Sequence, residues 1–199
     1  MKSRALLLMI CITMFMSLFS CSNALQLTYQ KPPMATATIG QLYVEVDDAR
    51  PPEKGGNDPY TVGVIRSAVG IPYDVKAAPD REPSIVVKEL ISECLMSAGY
   101  RIVNDSSAAP HLQASLKKFW SDGYVHNRIA LEMPIVLQKS ENAASAWTYV
   151  LDVNEGFTPM GFGFSQFNAG YNRMLDVAKD KLIEQFTSPE FENLYRTLD

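Results

Sequence analysis

The run RIALEMPIVLQ, residues 128–138, decides how this chain folds. Ile129, Leu131, Met133, Ile135 and Leu137 occupy every second position. A period of two puts successive side chains on opposite faces, so the run reads as a strand with one face on a core. Pro134 has no N–H to give to a ladder, so the strand is expected at a sheet edge or bulged at that point.

Working outward, three more extended runs separated by turn formers accompany it: YRIV (100–103), HLQASLKKFW (111–120) and AWTYVLDV (146–153). Upstream, QLYVEVDD (41–48) alternates Leu42, Val44 and Val46 against Tyr43 and Glu45, a half-buried strand. ARPPEKGGNDPY (49–60) ends it with Pro, Gly, Asn and Asp. Val62–Ile65 and Tyr73–Val75 read as a short strand pair.

Helical spacing enters twice. Asp80 and Glu82 precede Pro83, and Val87, Leu90, Ile91, Cys94 and Leu95 follow as one stripe that Gly99 closes. From Ser165 to Thr187 the stripe is Phe167, Tyr171, Met174, Leu175, Ala178, Leu182 and Phe186. Ser188-Pro189 then starts a short last helix carrying Phe191, Leu194 and Leu198. The order β-α-β-β-β-β-α-α predicts an α+β domain. Its sheet is antiparallel, with one helix after the first strands and a long C-terminal helix packed on one face.

The N-terminus has a different character. Lys2 and Arg4 precede an apolar run from Ala5 to Ser20, and small and polar residues follow, the order of a secretory signal peptide. The run is shorter than the ~20 residues a spanning helix needs. Two cleavage positions compete, one before Cys21 and one after Ala24. Leu18-Phe19-Ser20-Cys21 resembles the bacterial lipobox, whose chemistry needs a thiol directly after the apolar run, and we read Cys21 as the lipidated residue. That resemblance implies acyl chains on Cys21, with Ser22 pointing to the outer membrane. Residues 1–20 are then signal peptide, 21–40 a lipidated N-terminus and flexible tether, and 41–199 one periplasmic domain. Removing the signal leaves roughly 180 residues, enough for a single core.

The net charge is −4, and loss of Lys2 and Arg4 makes it more negative, so nucleic acid is not an expected partner. Of three cysteines, Cys11 leaves with the signal and Cys21 is acylated, so Cys94 has no disulfide partner. Its place on the apolar stripe predicts a buried, inert thiol.

From Pro83 onward the chain resembles the YajG-type bacterial lipoproteins. The likeness rests on a helix ending SAGYRIV, the strand HLQASLKKF, a meander, and a long helix followed by Ser-Pro-Glu-Phe. The resemblance implies an outer-membrane lipoprotein of unassigned activity and carries over no catalytic residue.

Catalytic patterns are sparse. His111, His126, Asp122 and Glu132 have no metal-site spacing, and read as ordinary strand residues. Gly161-Phe162-Gly163 begins like a dinucleotide loop, but Gln166 stands where its third glycine belongs. No G-x-S-x-G elbow supports a serine triad. Asp47, Asp48 and Arg50 cluster where charges usually meet water. No catalytic residue, metal or cofactor is therefore expected. The segment GFTPMGFGFSQF (156–167) sets several rings in a Gly- and Pro-broken connection. Met160, Phe162 and Phe164 are the candidate partner or ligand contacts, while Phe157 and Phe167 should pack on the fold. The expected function is a non-enzymatic binding or accessory subunit of cell-envelope machinery, held to the outer membrane through Cys21 and working with an envelope protein. The alternative is a carrier for a lipid or small apolar ligand between the sheet and the long helix.

Overall fold

The computed structural model describes residues 24–66, 70–107, 109–123, 128–141, 143–156 and 164–198, with backbone only at 164. Eight strands and three helices follow one another: β1 (Gly40–Asp48), β2 (Thr61–Arg66), β3 (Pro72–Lys76), α1 (Pro83–Ser97) and β4 (Tyr100–Val103) come first. After them come β5 (His111–Leu116), β6 (Lys118–Gly123), β7 (Arg128–Gln138), β8 (Ser145–Gly156), α2 (Phe164–Phe186) and α3 (Pro189–Arg196). This is the α+β class that the hydrophobic periods predict, and the order matches roughly: the short pair β2–β3 stands before α1, and the run 111–120 is split into β5 and β6.

The strand read first, β7, is the spine. Its five alternate apolar residues are all fully buried. β8 pairs with it along its whole length, while β6 and β5 share the other side. β5 and β6 are one strand in two pieces: Ala114 stands opposite Ile135 and Phe119 opposite Leu131, so the pairing slips by one residue between them. That slip is a β-bulge. There the Lys117 N–H donates to the Glu132 carbonyl at 2.9 Å. Pro134 lies two residues on and turns its backbone to the same side, at the slip, where no N–H is needed. The extra residue of the bulge lies on the β5–β6 strand, not on β7 as expected. The expected edge position is not found, because β7 is flanked on both sides.

The sheet forks at this bulge. β1 lies parallel to β5 on one branch, with β4 parallel outside it. β2 lies parallel to β6 on the other, with β3 antiparallel outside it. The antiparallel expectation thus holds for the meander from β5 to β8, and parallel pairs join it on the fork. Parallel neighbours need a crossover, which α1 supplies between β1 and β4.

The helices cover the inner face. The whole α2 stripe from Phe167 to Phe186 is buried, as is the α1 stripe with Cys94. Tyr171 stacks on Phe119 with ring centroids 5.3 Å apart and donates its hydroxyl hydrogen to the Val62 carbonyl. α3 begins at the expected cap, where Ser188 Oγ accepts from the Phe191 N–H. Its Phe191 meets Trp147 edge-on at 4.9 Å. Gly99 closes α1 with φ +99°, a left-handed conformation suited to glycine.

Residues 24–39 differ from expectation. They are no free tether but an extended strap laid across α1 and α2. Leu25 and Leu27 are buried in the main core, and Tyr29 packs against it. The backbone N–H groups of Gln26, Thr28 and Gln30 donate to the side chains of Asn168, Asn172 and Asp176 at 2.8, 3.0 and 2.8 Å. Two residues of extended chain advance about 6.6 Å and four residues of helix about 6.0 Å, so the two repeats stay in step over three contacts. Leu25 also bridges in parallel to Ala77, just beyond β3. Further along, the Ala35 N–H donates to the Met96 carbonyl and the Ile39 N–H to the Gly99 carbonyl. The physical reason for the correction is a short period-two pattern in which Leu25 and Leu27 are buried in the core and Tyr29 packs against it.

Candidate functional site

The strap and α1 frame a cleft of about 320 Å³ lined by Gln26, Thr28, Tyr29, Lys31, Arg81 and Glu89. Its charges have partners. Lys31 meets Glu93 at 2.6 Å and Arg81 meets Glu89 at 3.0 Å, while Arg81 Nε donates to the Leu27 carbonyl at 2.8 Å. Burial, reinforced by the Glu93 carboxylate, holds the Tyr29 phenol far above its usual range, so it stays protonated. The arrangement stitches the strap to the helix.

Where the carrier alternative would seat its ligand, side chains fill the space. Phe119, Leu131, Met133, Tyr171, Met174, Leu175 and Ala178 meet between the sheet and α2 with no exposed surface.

The residues weighed for chemistry are spread apart. His111 begins β5 and Asp122 lies near the end of β6, roughly 36 Å along the strand course. His111 is buried, with Nε2 2.5 Å from the Ser106 carbonyl oxygen and its ring 5.1 Å from Tyr43. Glu132 faces Lys118 across the ladder. His126 lies outside the described residues.

The Asp48–Arg50 pair turns out to be a staple. The Arg50 side chain has no exposed surface, and its Nε and Nη2 donate to the two Asp48 oxygens at 2.9 and 2.8 Å. Nη1 and Nη2 also donate to the carbonyls of Thr61 and Pro59. The guanidinium therefore binds the end of β1 to the start of β2. Cys94 is buried as its stripe predicts, with Sγ 3.7 Å from the Lys179 carbonyl oxygen, and burial pushes its thiol up to about 12. A thiol that stays protonated is a poor nucleophile.

Cys21, Phe157, Met160 and Phe162 lie outside the described residues, and Phe164 opens α2 with its side chain likewise outside them. Phe167 is buried and lies over Gly123, as a packing residue should. What the sequence reading missed is the end of the domain where the chain enters. Leu25 sits four residues after Cys21. The alternation Leu25, Leu27, Tyr29 was the available signal.

No family model matches the chain, and no curated protein matches it. Among solved structures it is similar to a Xanthomonas campestris protein of the DUF330 family. The two are 12% identical, with 88% of this chain and 99% of that one covered and a TM-score of 0.62. It is also similar to a minor lipoprotein from Acinetobacter baumannii, at 9% identity, 74% and 91% coverage and a TM-score of 0.39. A Neisseria meningitidis lipoprotein is 13% identical over 73% of this chain and 96% of that one, at 0.32. The first likeness is one of fold.

Proposed function

We propose that the chain is a lipid-anchored envelope protein, acylated at Cys21, whose domain serves as a non-enzymatic binding or accessory subunit facing the periplasm from the outer membrane. The single observation that carries this is the position of Cys21. It follows an apolar run directly and stands four residues before Leu25, the first buried side chain among the described residues. The accessory role draws support from the conspicuous side chains, each of which serves packing: Arg50 as staple, Cys94 as core, His111 against Tyr43. Met160, Phe162 and Phe164 are the proposed partner contacts, and the partner is another envelope protein.

The test is expression of the full chain in a Gram-negative host, followed by membrane fractionation and intact mass. The expected product begins at Cys21 and carries acyl mass, and Cys21→Ser leaves it without either. A wild-type product that begins at Leu25 without acyl mass contradicts the proposal.

A further inference from the structure

The long strand β8 pairs with β7 along one edge. Among the described residues no strand pairs with its other edge. Which backbone groups face that edge follows from the ladder. The Glu132 carbonyl accepts from Lys117, so Glu132 turns its backbone toward β6, and Asp152, directly opposite, turns away from β7. The same alternation turns Thr148, Val150 and Asn154 outward. A second contact agrees: the Asp152 carbonyl accepts from Lys181 Nζ of α2 at 2.7 Å.

Sheets commonly blunt a bare edge with proline, with lysine, or by keeping it short. β8 runs SAWTYVLDVNEG without Pro, Lys or Arg, and Val150 on its outer face is 59% exposed. The edge is self-complementary about that valine. In an antiparallel pairing of two β8 strands centred there, Val150 meets Val150 and Thr148 meets Asp152 of the second copy, each pair exchanging N–H and C=O. The Thr148 hydroxyl then donates to the Asp152 carboxylate across the strands. Shifted registers fit worse. A centre at Asp152 sets two carboxylates opposite each other, and a centre at Leu151 sets Val150 against Asp152. A centre at Thr148 runs the ladder into the irregular pairing beside Trp147.

The helix over this edge matches in the same register. Lys181 stands at Asp152. Burial and then the Glu184 charge raise the Tyr149 phenol, which places Glu184 near Tyr149. With the strands paired about Val150, Asp152 of one copy and Tyr149 of the other are one residue apart along the seam, about 3.3 Å. Lys181 of each copy is thus set against Glu184 of the other.

We infer that the outer edge of β8 is an interface between two copies of this chain, paired antiparallel about a two-fold axis at Val150, so that the sheet continues from one copy into the other. The same patch serves both copies, as a two-fold interface requires. The occupant is a second copy because backbone, side chains and helix charges all match in one register.

Disulfide trapping and sedimentation test this on the full chain in mild detergent. Val150→Cys lies on the axis, where hydrogen-bonded partners stand about 5.5 Å apart at Cα, within disulfide range. Asn154→Cys is the control, since its two copies are about 26 Å apart in this register. Under mild oxidation the expected result is a several-fold larger disulfide-linked dimer fraction for Val150→Cys than for Asn154→Cys or wild type. Equal fractions in the two variants, or none in either, overturn the inference. Wild type should sediment as a dimer, and Val150→Lys and Val150→Pro should shift it to monomer with the circular dichroism spectrum retained. Lysine sets like charges on the axis, and proline removes the central N–H, a loss that an unpaired edge tolerates. A wild-type monomer, or a dimer that persists in both variants, overturns it as well.

Discussion

Residues 24–30 and residues 128–138 are both extended chain with alternate side chains turned to the core, yet they are held in different ways. β7 gives its backbone to neighbours on both sides. The strap gives N–H groups to Asn168, Asn172 and Asp176 on a helix. A ladder joins like to like, whereas a helix can serve an extended chain only where its side chains present acceptors every fourth residue. The lesson is that extended chain can be docked firmly without belonging to a sheet.

The comparison breaks most easily at its leucines. Leu27→Ala and Leu131→Ala should each destabilise the domain by about 2–5 kcal/mol, as truncations at fully buried sites do. Urea titration would measure both. Should Leu27→Ala cost nothing while Leu131→Ala costs several kcal/mol, the strap is a tether after all.

A smaller effect isolates the helix-borne acceptors. Asn172 accepts from the Thr28 N–H and donates to the Thr28 hydroxyl at 2.9 Å. Asn172→Ala should cost about 1 kcal/mol, the usual worth of such a bond, and speed exchange of the Thr28 amide. Asn172→Asp keeps the acceptor and should recover most of the loss. Equal losses in the two variants would show that the acceptor is not what matters.

The strand was legible because five apolar residues in strict alternation exceed any accidental run, and the three helices because each carries a stripe with start or stop signals. The strap offered only Leu25, Leu27 and Tyr29 before the pair Pro32-Pro33, and its partners are polar residues on a helix more than 140 positions away. Nothing local announces that match. Pro134 was read correctly as a ladder defect, but the bulge that accommodates it lies on the β5–β6 strand, which pairing alone could reveal. Arg50 looked like a surface charge because its four acceptors come from Asp48, Pro59 and Thr61, brought together only when the connection folds back.

Thiol chemistry sharpens the contrast between packed and open positions. Native protein should react slowly with a thiol reagent at Cys94 and promptly once denatured. Rapid native labelling would put the α1 face in solvent. Burial raises the folded thiol pKa above its ordinary value, so the stability Cys94 contributes is full below about pH 8.5, the unfolded value, and is lost as pH rises toward the folded value of about 12.

The smallest expected effect is acidic. Asp58 accepts from Lys76 at 2.8 Å, beside the point where the Leu25 N–H donates to the Lys76 carbonyl, and Lys76 holds its carboxyl below the usual range. Thr61 and Tyr60 add hydrogen bonds in the same direction. A depressed folded pKa contributes stability above the unfolded value of about 3.9, which is lost as pH falls below it. Asp58 lies near the surface, so the slope is shallow, and Asp58→Asn should flatten it further. An unchanged slope in that variant would assign the acid sensitivity elsewhere.

Amide hydrogen exchange across the strap, read residue by residue in the full chain, is the most direct measurement. The account predicts that Gln26, Thr28 and Gln30 are protected alongside β7 and lose protection together when Asn168, Asn172 and Asp176 are changed to Ala. Exchange of these three amides at the rate of an unfolded chain, with β7 fully protected, would contradict it.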